Sequence, residues 1–295
     1  MGGASSSLHH AAAGGDLDKL RAAIASGKDQ INSIEEFTQQ TPLHAAAAGG
    51  SSECTEALLA AGAAADRADR EGATPLMLAC VAGHLAVATL LIDACPSTLD
   101  RVDSSGYSPL FAACEYGHVH LVELLVSTHR VSINLRATVD GTSPLYIACQ
   151  ENHAAISARL LQCHAAPDLA TPEGRTPLHA ACLSASLECA LLLLDAGAAI
   201  NATDQRGFSP LHLCAESRNP SASACADALL ARGAAVTARP AGRLHGDDEE
   251  EEDGNISAAE DADDAPAARL DYHDADFACR RDDRVRSRAR RSRSR

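Results

Sequence analysis

A four-residue motif returns at a nearly constant interval along this chain, and that periodicity limits the folds open to it. Thr41-Pro42-Leu43-His44 recurs as Thr74-Pro75-Leu76-Met77, Ser108-Pro109-Leu110-Phe111 and Ser143-Pro144-Leu145-Tyr146. Thr176-Pro177-Leu178-His179 and Ser209-Pro210-Leu211-His212 complete the set. Successive copies are 33, 34, 35, 33 and 33 residues apart, and a degenerate copy, Ser6-Ser7-Leu8-His9, stands 35 residues before the first. Such a period marks stacked copies of one supersecondary unit, each too small to bury an apolar face alone.

The chemistry of one unit is legible. Thr or Ser supplies an N-cap hydroxyl, and Pro follows at the first helical position, where its missing N–H costs nothing. An alanine-rich helix comes next, as in Leu78 to Ala82, and ends at Gly83-His84, glycine suiting the left-handed residue after a helix. A second helix carries bulkier side chains, as in Val87 to Ile92 or Leu121 to Val126. A turn rich in Asp and Gly, such as Asp204 to Phe208, leads to the next Thr/Ser-Pro. Composition agrees: 46% of residues are apolar, yet only eight are aromatic and none is Trp. Alanine carries that share, which suits thin layers of closely packed helices rather than a thick core.

The motif, its period and the helix–turn–helix unit resemble the ankyrin repeat family. The resemblance covers residues 6–239, with repeats starting near 6, 41, 74, 108, 143, 176 and 209. It implies an all-α solenoid of helix pairs with projecting β-hairpin loops, and a protein-binding concave face. It also places contact positions on the loops and at the ends of the inner helices. Those positions hold Phe37, Arg70, Glu71, Tyr107, Arg175, Arg206 and Phe208 on loops, and Glu115, Tyr116, Gln150, Glu151 and Glu216 on helices. Four of the eight aromatics fall there, none of them expected in the repeat's own packing, and aromatics with Arg dominate binding hot spots. Met77, Phe111 and Tyr146 replace the family histidine, and Asn152 and Ala185 the usual glycine between helices. Charged residues in the first and last units, Asp16, Asp18, Lys19 and Arg21 and then Glu216, Arg218 and Asn219, are expected to cap the stack.

Composition changes after Pro240. Gly246 to Asp264 holds eleven acids and no base, and Arg280 to Arg295 nine arginines against two aspartates. Such segments bury too little apolar surface to fold, so residues 240–295 are expected to form a disordered tail, with residues 1–5 a flexible N-terminus. The net charge of −15 divides as −10 for the repeats, with 14 bases against 24 acids, and −5 for the tail. That balance argues against general nucleic-acid binding, leaving only weak contact through the Arg/Ser end, and favours partners with basic flanks. Ser257, followed by Ala258-Ala259-Glu260, is a candidate phosphorylation site, and Gly2, in an M-G-x-x-x-S pattern, a candidate for N-myristoylation and the sole route to membrane association.

No secretory signal or span of about 18 apolar residues is visible, so a cytoplasmic or nuclear setting is expected. Eleven cysteines, an odd number without a CxxC pair, fit free thiols. Cys80, Cys114, Cys149 and Cys182 each stand five residues after the motif proline, as small apolar groups of the inner helix. Cys114, His118 and His120 make too small a set for a metal site, and no phosphate loop, HExxH or GxSxG motif occurs. The chain is therefore expected to be a non-enzymatic adaptor without cofactor or metal. Two alternatives stay open: a substrate receptor of a ubiquitin ligase or other enzyme complex, and a transcription-factor inhibitor, whose acidic tail behind an ankyrin stack this chain resembles in composition. The Ala268–Val285 stretch does not read as the docking box of ligase-associated ankyrin proteins.

Overall fold

The computed structural model describes residues 3–27, 31–217 and 219–237. Gly2, Ser257 and the tail from residue 240 lie outside these. Among the described residues seven helix pairs follow one another: α1 (Gly3–Ala13) with α2 (Leu17–Ser26), α3 (Pro42–Gly49) with α4 (Ser52–Ala60), and α5 (Pro75–Ala82) with α6 (Leu85–Ala94). Then come α7 (Pro109–Glu115) with α8 (Val119–Ser127), α9 (Pro144–Gln150) with α10 (Ala154–Gln162), α11 (Pro177–Leu183) with α12 (Leu187–Asp195), and α13 (Pro210–Glu216) with α14 (Ala222–Ala231).

Local chemistry fixes where the inner helices begin. Each motif proline is the first helical residue, and the hydroxyls of Thr41, Thr74, Ser108 and Ser143 accept the N–H of the residue three ahead. The first copy lacks a proline, and its helix starts at Gly3, three residues upstream of Ser6. Each inner helix packs on the next inner helix and each outer helix on the next outer one, giving two layers. Small side chains allow the close approach: Ala46, Ala47, Ala79, Cys80, Ala113, Cys114, Ala148 and Cys149 are fully buried. Leu58, Val87, Leu121, Leu125, Ile156, Leu160 and Leu193 fill the space between the layers. Truncating one such leucine to alanine costs about 2–5 kcal/mol, because the neighbours only partly close the void.

Between the helices of the first six pairs the chain turns through a left-handed residue. Gly50, Gly83 and Gly117 take it, and so do Asn152 (φ 58°) and Ala185 (φ 55°), as their place in the repeat requires. The histidine that follows Gly83, Gly117 or Asn152 reaches back one repeat. Nε2 of His84, His118 and His153 lies 3.2, 3.2 and 3.3 Å from the carbonyls of Ala48, Val81 and Glu115.

The motif histidines add a second tie. Nδ1 of His44 accepts the Thr41 N–H (3.1 Å), so Nε2 carries the proton and donates to the Ala73 carbonyl of the next loop (3.1 Å). His179 repeats the arrangement with Thr176 and Phe208, at 3.1 and 3.0 Å. Burial pushes the pKa of both rings down, because a buried imidazolium loses its hydration. A third tie was not anticipated. Side-chain oxygens of Asn32, Asp100, Asn134, Asp168 and Asn201 accept N–H groups of Ala64, Ser132, Ala166, Ala199 and Ala235, one repeat further on, at 2.8–2.9 Å.

Candidate protein-binding face

The loops between repeats place the sequence-predicted contact residues. The loop before α5 is a tight turn closed by two backbone bonds: Asp69 N–H donates to Ala73 O (2.9 Å) and Gly72 N–H to Asp69 O (3.0 Å). The leading aspartate organises the tip from inside. Asp69 Oδ1 accepts the N–H of Glu71 and Ala73, and Asp103 and Asp204 do the same for Ser105 with Tyr107 and for Arg206 with Phe208. The hairpin-like projections are thus turns, and no strand forms among the described residues.

Backbone bonds join the first four tips in a row and the last two to each other, the break falling at Pro172, which has no N–H to donate. Arg70 N–H donates to Thr38 O, Ser104 N–H to Glu71 O, and Thr138 N–H to Ser105 O, at 2.9, 2.9 and 3.1 Å. Gln205 N–H donates to Glu173 O at 2.8 Å. Phe37, Arg70, Glu71 and Arg206 are exposed along this row, and Glu151 is exposed just past the end of α9. Glu115, Tyr116, Gln150 and Glu216, at the ends of α7, α9 and α13, are half-buried. The Tyr116 ring lies nearly parallel to His118, 6.3 Å between centroids.

Three loop residues belong to the stack more than the sequence suggests. Phe208 is 8% exposed and part of the core, with the His212 ring edge-on at 6.0 Å. Tyr107 stacks on Phe111 at 4.5 Å and donates its hydroxyl to Asp140 (3.1 Å). Arg175 holds Nε 3.5 Å from Oδ2 of the buried Asp204. The expectation that loop aromatics serve no packing role is therefore corrected for Phe208 and Tyr107. These residues precede the helix N-cap, where the chain turns inward, and Ala73 and Thr142 are buried at the equivalent place. Conversely, Val139, 60% exposed on the tip before α9, joins the exposed set although motif reasoning passed over it. The signal was present in the 35-residue spacing of that repeat, which adds two residues to the 33-residue interval, one of them in the tip.

The residues considered for metal are not brought together. Cys114 is fully buried, His118 is tied to Val81 O, and His120 lies exposed beside Glu123 at 3.2 Å. Among the described residues no group of three or more His, Cys, Asp or Glu is placed to hold a metal ion, and no helix is long and apolar enough to cross a membrane. The cysteines behave as small apolar groups: eight of the ten described are buried, and burial pushes the Cys80 thiol up to about 12.

A two-layer helical stack joined through its loops, with exposed tips, defines a repeat solenoid. Family comparison makes it specific. The model for ankyrin repeats in three copies matches residues 8–100, 94–165 and 157–239, and the chain belongs to the ankyrin repeat family. Among solved structures it is similar to the human ASB11 ankyrin repeat domain, at 31% identity and a TM-score of 0.66, covering 78% of this chain and 99% of that one. No curated protein sequence matches it. Ankyrin repeats are protein–protein interaction modules, and the fold is typically non-enzymatic.

Proposed function

We propose that this chain is a non-enzymatic adaptor that holds a partner protein against the row of loop tips and the adjoining ends of the inner helices. The observation that carries this reading is the bonding that holds the tips in place. Exposed Phe37, Arg70, Glu71 and Arg206 sit on backbone that is hydrogen-bonded within and between tips, so a partner meets a preorganised surface. The repeats' net charge of −10 supports partners with basic flanks, attracted over a distance set by salt. Buried, unbridged thiols suit a reducing setting, the cytoplasm or nucleus. Residues 240–295 serve as a charged regulatory tail in this reading.

The test compares two charge-reversed proteins in affinity capture with mass spectrometry. One carries Arg70→Glu with Glu151→Arg on the row, the other Glu56→Arg with Glu188→Arg on the outer helices. The reading expects partners to be lost with the first and kept with the second. Partners lost only with the outer-helix variant would assign binding to the opposite layer.

A further inference from the structure

The loop tips come in two sizes. Four are narrow, closed by a bond from the N–H of residue i+3 to the carbonyl of residue i: Gly72 to Asp69, Gly106 to Asp103, Gly174 to Thr171 and Gly207 to Asp204. Two are one residue wider, closed by an i+4 bond: Gln39 N–H to Glu35 O (2.8 Å) and Gly141 N–H to Ala137 O (3.0 Å). The wide tips match in detail. Each ends in a left-handed residue, Gln39 (φ 56°) or Gly141 (φ 64°), and in each a side-chain oxygen, Thr38 Oγ1 or Asp140 Oδ1, accepts the N–H two residues on.

At the same apex position of the two wide tips stand Phe37, 69% exposed, and Val139, 60% exposed. The narrow tips between them carry Arg70-Glu71 and Ser104-Ser105 instead. A single exposed apolar residue is ordinary. Two of them at one structural position, each on its own added residue and contributing little to the stack, form a matched pair.

We propose that Phe37 and Val139 are paired anchors for one extended segment of a partner protein, laid across the tips from Glu35 to Thr142. The inference rests on the loop-tip face being the binding face and adds the partner's chemistry. The anchors are three repeats apart, and helices pack about 8–10 Å apart, so they are separated by about 24–30 Å. An extended chain advances about 3.3 Å per residue and returns to the same face every second residue. The segment therefore carries two large apolar side chains about eight residues apart. Small hydroxyl side chains at Ser104 and Ser105 let its backbone pass close and offer it hydrogen-bond partners, which a helix with its backbone already paired does not use. Exposed Arg70, whose Nη1 lies 3.3 Å from the Phe37 carbonyl, selects an acidic residue beside the first anchor.

The probe is a phage-displayed library of random 16-residue peptides, selected on the full chain and followed by affinity measurements on synthetic copies. Enriched peptides are expected to share two large apolar residues at about eight-residue spacing. Phe37→Ser and Val139→Ser should each weaken binding at least tenfold while leaving the melting temperature unchanged, and shortening the peptide spacing by two residues should do the same. Dependence on only one anchor, or no enrichment, overturns the pairing. Peptides indifferent to both anchors but lost with Tyr116→Ala or Glu151→Arg also overturn it, and leave the binding face in place. Peptides indifferent to all four variants overturn both.

Discussion

Phe37 and Phe208 both lie in loops, yet replacing each with alanine is expected to give results about 3 kcal/mol apart. Phe208 is 8% exposed, and an aromatic side chain buries about 150–250 Å². At about 25 cal/mol per Å² the whole ring is worth about 4–6 kcal/mol. Alanine keeps the first carbon, and measured Phe→Ala losses run about 3–5 kcal/mol. The ring sits in the seam before the last repeat, where α13 and α14 can settle toward the gap, so the low end, about 3 kcal/mol, applies. Phe37, at 69% exposure, should stay within about 0.5 kcal/mol of wild type. Urea unfolding followed by circular dichroism measures the totals. Because repeat stacks lose stability locally, amide exchange should show the Phe208→Ala loss first in α13 and α14, accelerated about a hundredfold. If Phe208→Ala unfolds like wild type but loses partner affinity, the ring works as a loop-tip contact and the seam assignment is wrong.

Acidification should weaken the stack through His44 and His179. Their buried rings titrate below the ordinary value of 6.5, so the stability they contribute is present above 6.5 and lost as pH falls below it, the unfolded chain taking up protons the folded one refuses. The double variant His44→Met, His179→Met should flatten the stability slope just below pH 6.5, and an unchanged slope would refute the assignment. Thiol reactivity should divide by burial. Native alkylation read by peptide mass spectrometry should label half-buried Cys95 and Cys163 well before Cys80 or Cys214, whose thiols are each pushed up to about 12, and prior reduction should add no labelled site. Gly106→Ala should cost more than Gly62→Ala in denaturant titration, the second losing about 1–3 kcal/mol of left-handed strain alone. A Cβ on Gly106 would collide with the Thr138 backbone nitrogen, forcing that tip away from Ser105, whereas a Cβ on Gly62 meets nothing within 4 Å.

The architecture was open to sequence reading because its determinants are local. A hydroxyl followed by proline fixes a helix start whatever surrounds it, and the six prolines 42, 75, 109, 144, 177 and 210 each begin an inner helix. What escaped is what depends on the neighbouring repeat. The direction of the Phe208 ring is set by the seam it closes, and its backbone carbonyl is held there by His179 from the repeat before. Only the comparison with Ala73 and Thr142, small residues buried at the same place, carries that information in one dimension. The ladder of Asn32, Asp100, Asn134, Asp168 and Asn201 was hidden similarly, since a turn-forming Asn or Asp looks the same whether it bonds to its own turn or to the next one.

The unequal spacings of the repeat carry the most about the proposed recognition. The 35-residue interval before Thr41 and the one before Ser143 each place an extra residue in a tip, whereas the 34-residue interval before Ser108 places its own at the 3-10 turn Pro96–Thr98, beyond α6 and away from the tip. A residue inserted at the end of an outer helix is absorbed in a turn. A residue inserted in a tip widens the closing ring from an i+3 to an i+4 bond and pushes one more side chain into solvent. In both wide tips that side chain is apolar, a placement that costs solubility and returns little to the stack. Such a position is explained by what covers it, which is why the length of each repeat, more than its consensus letters, points to the surface proposed for the partner.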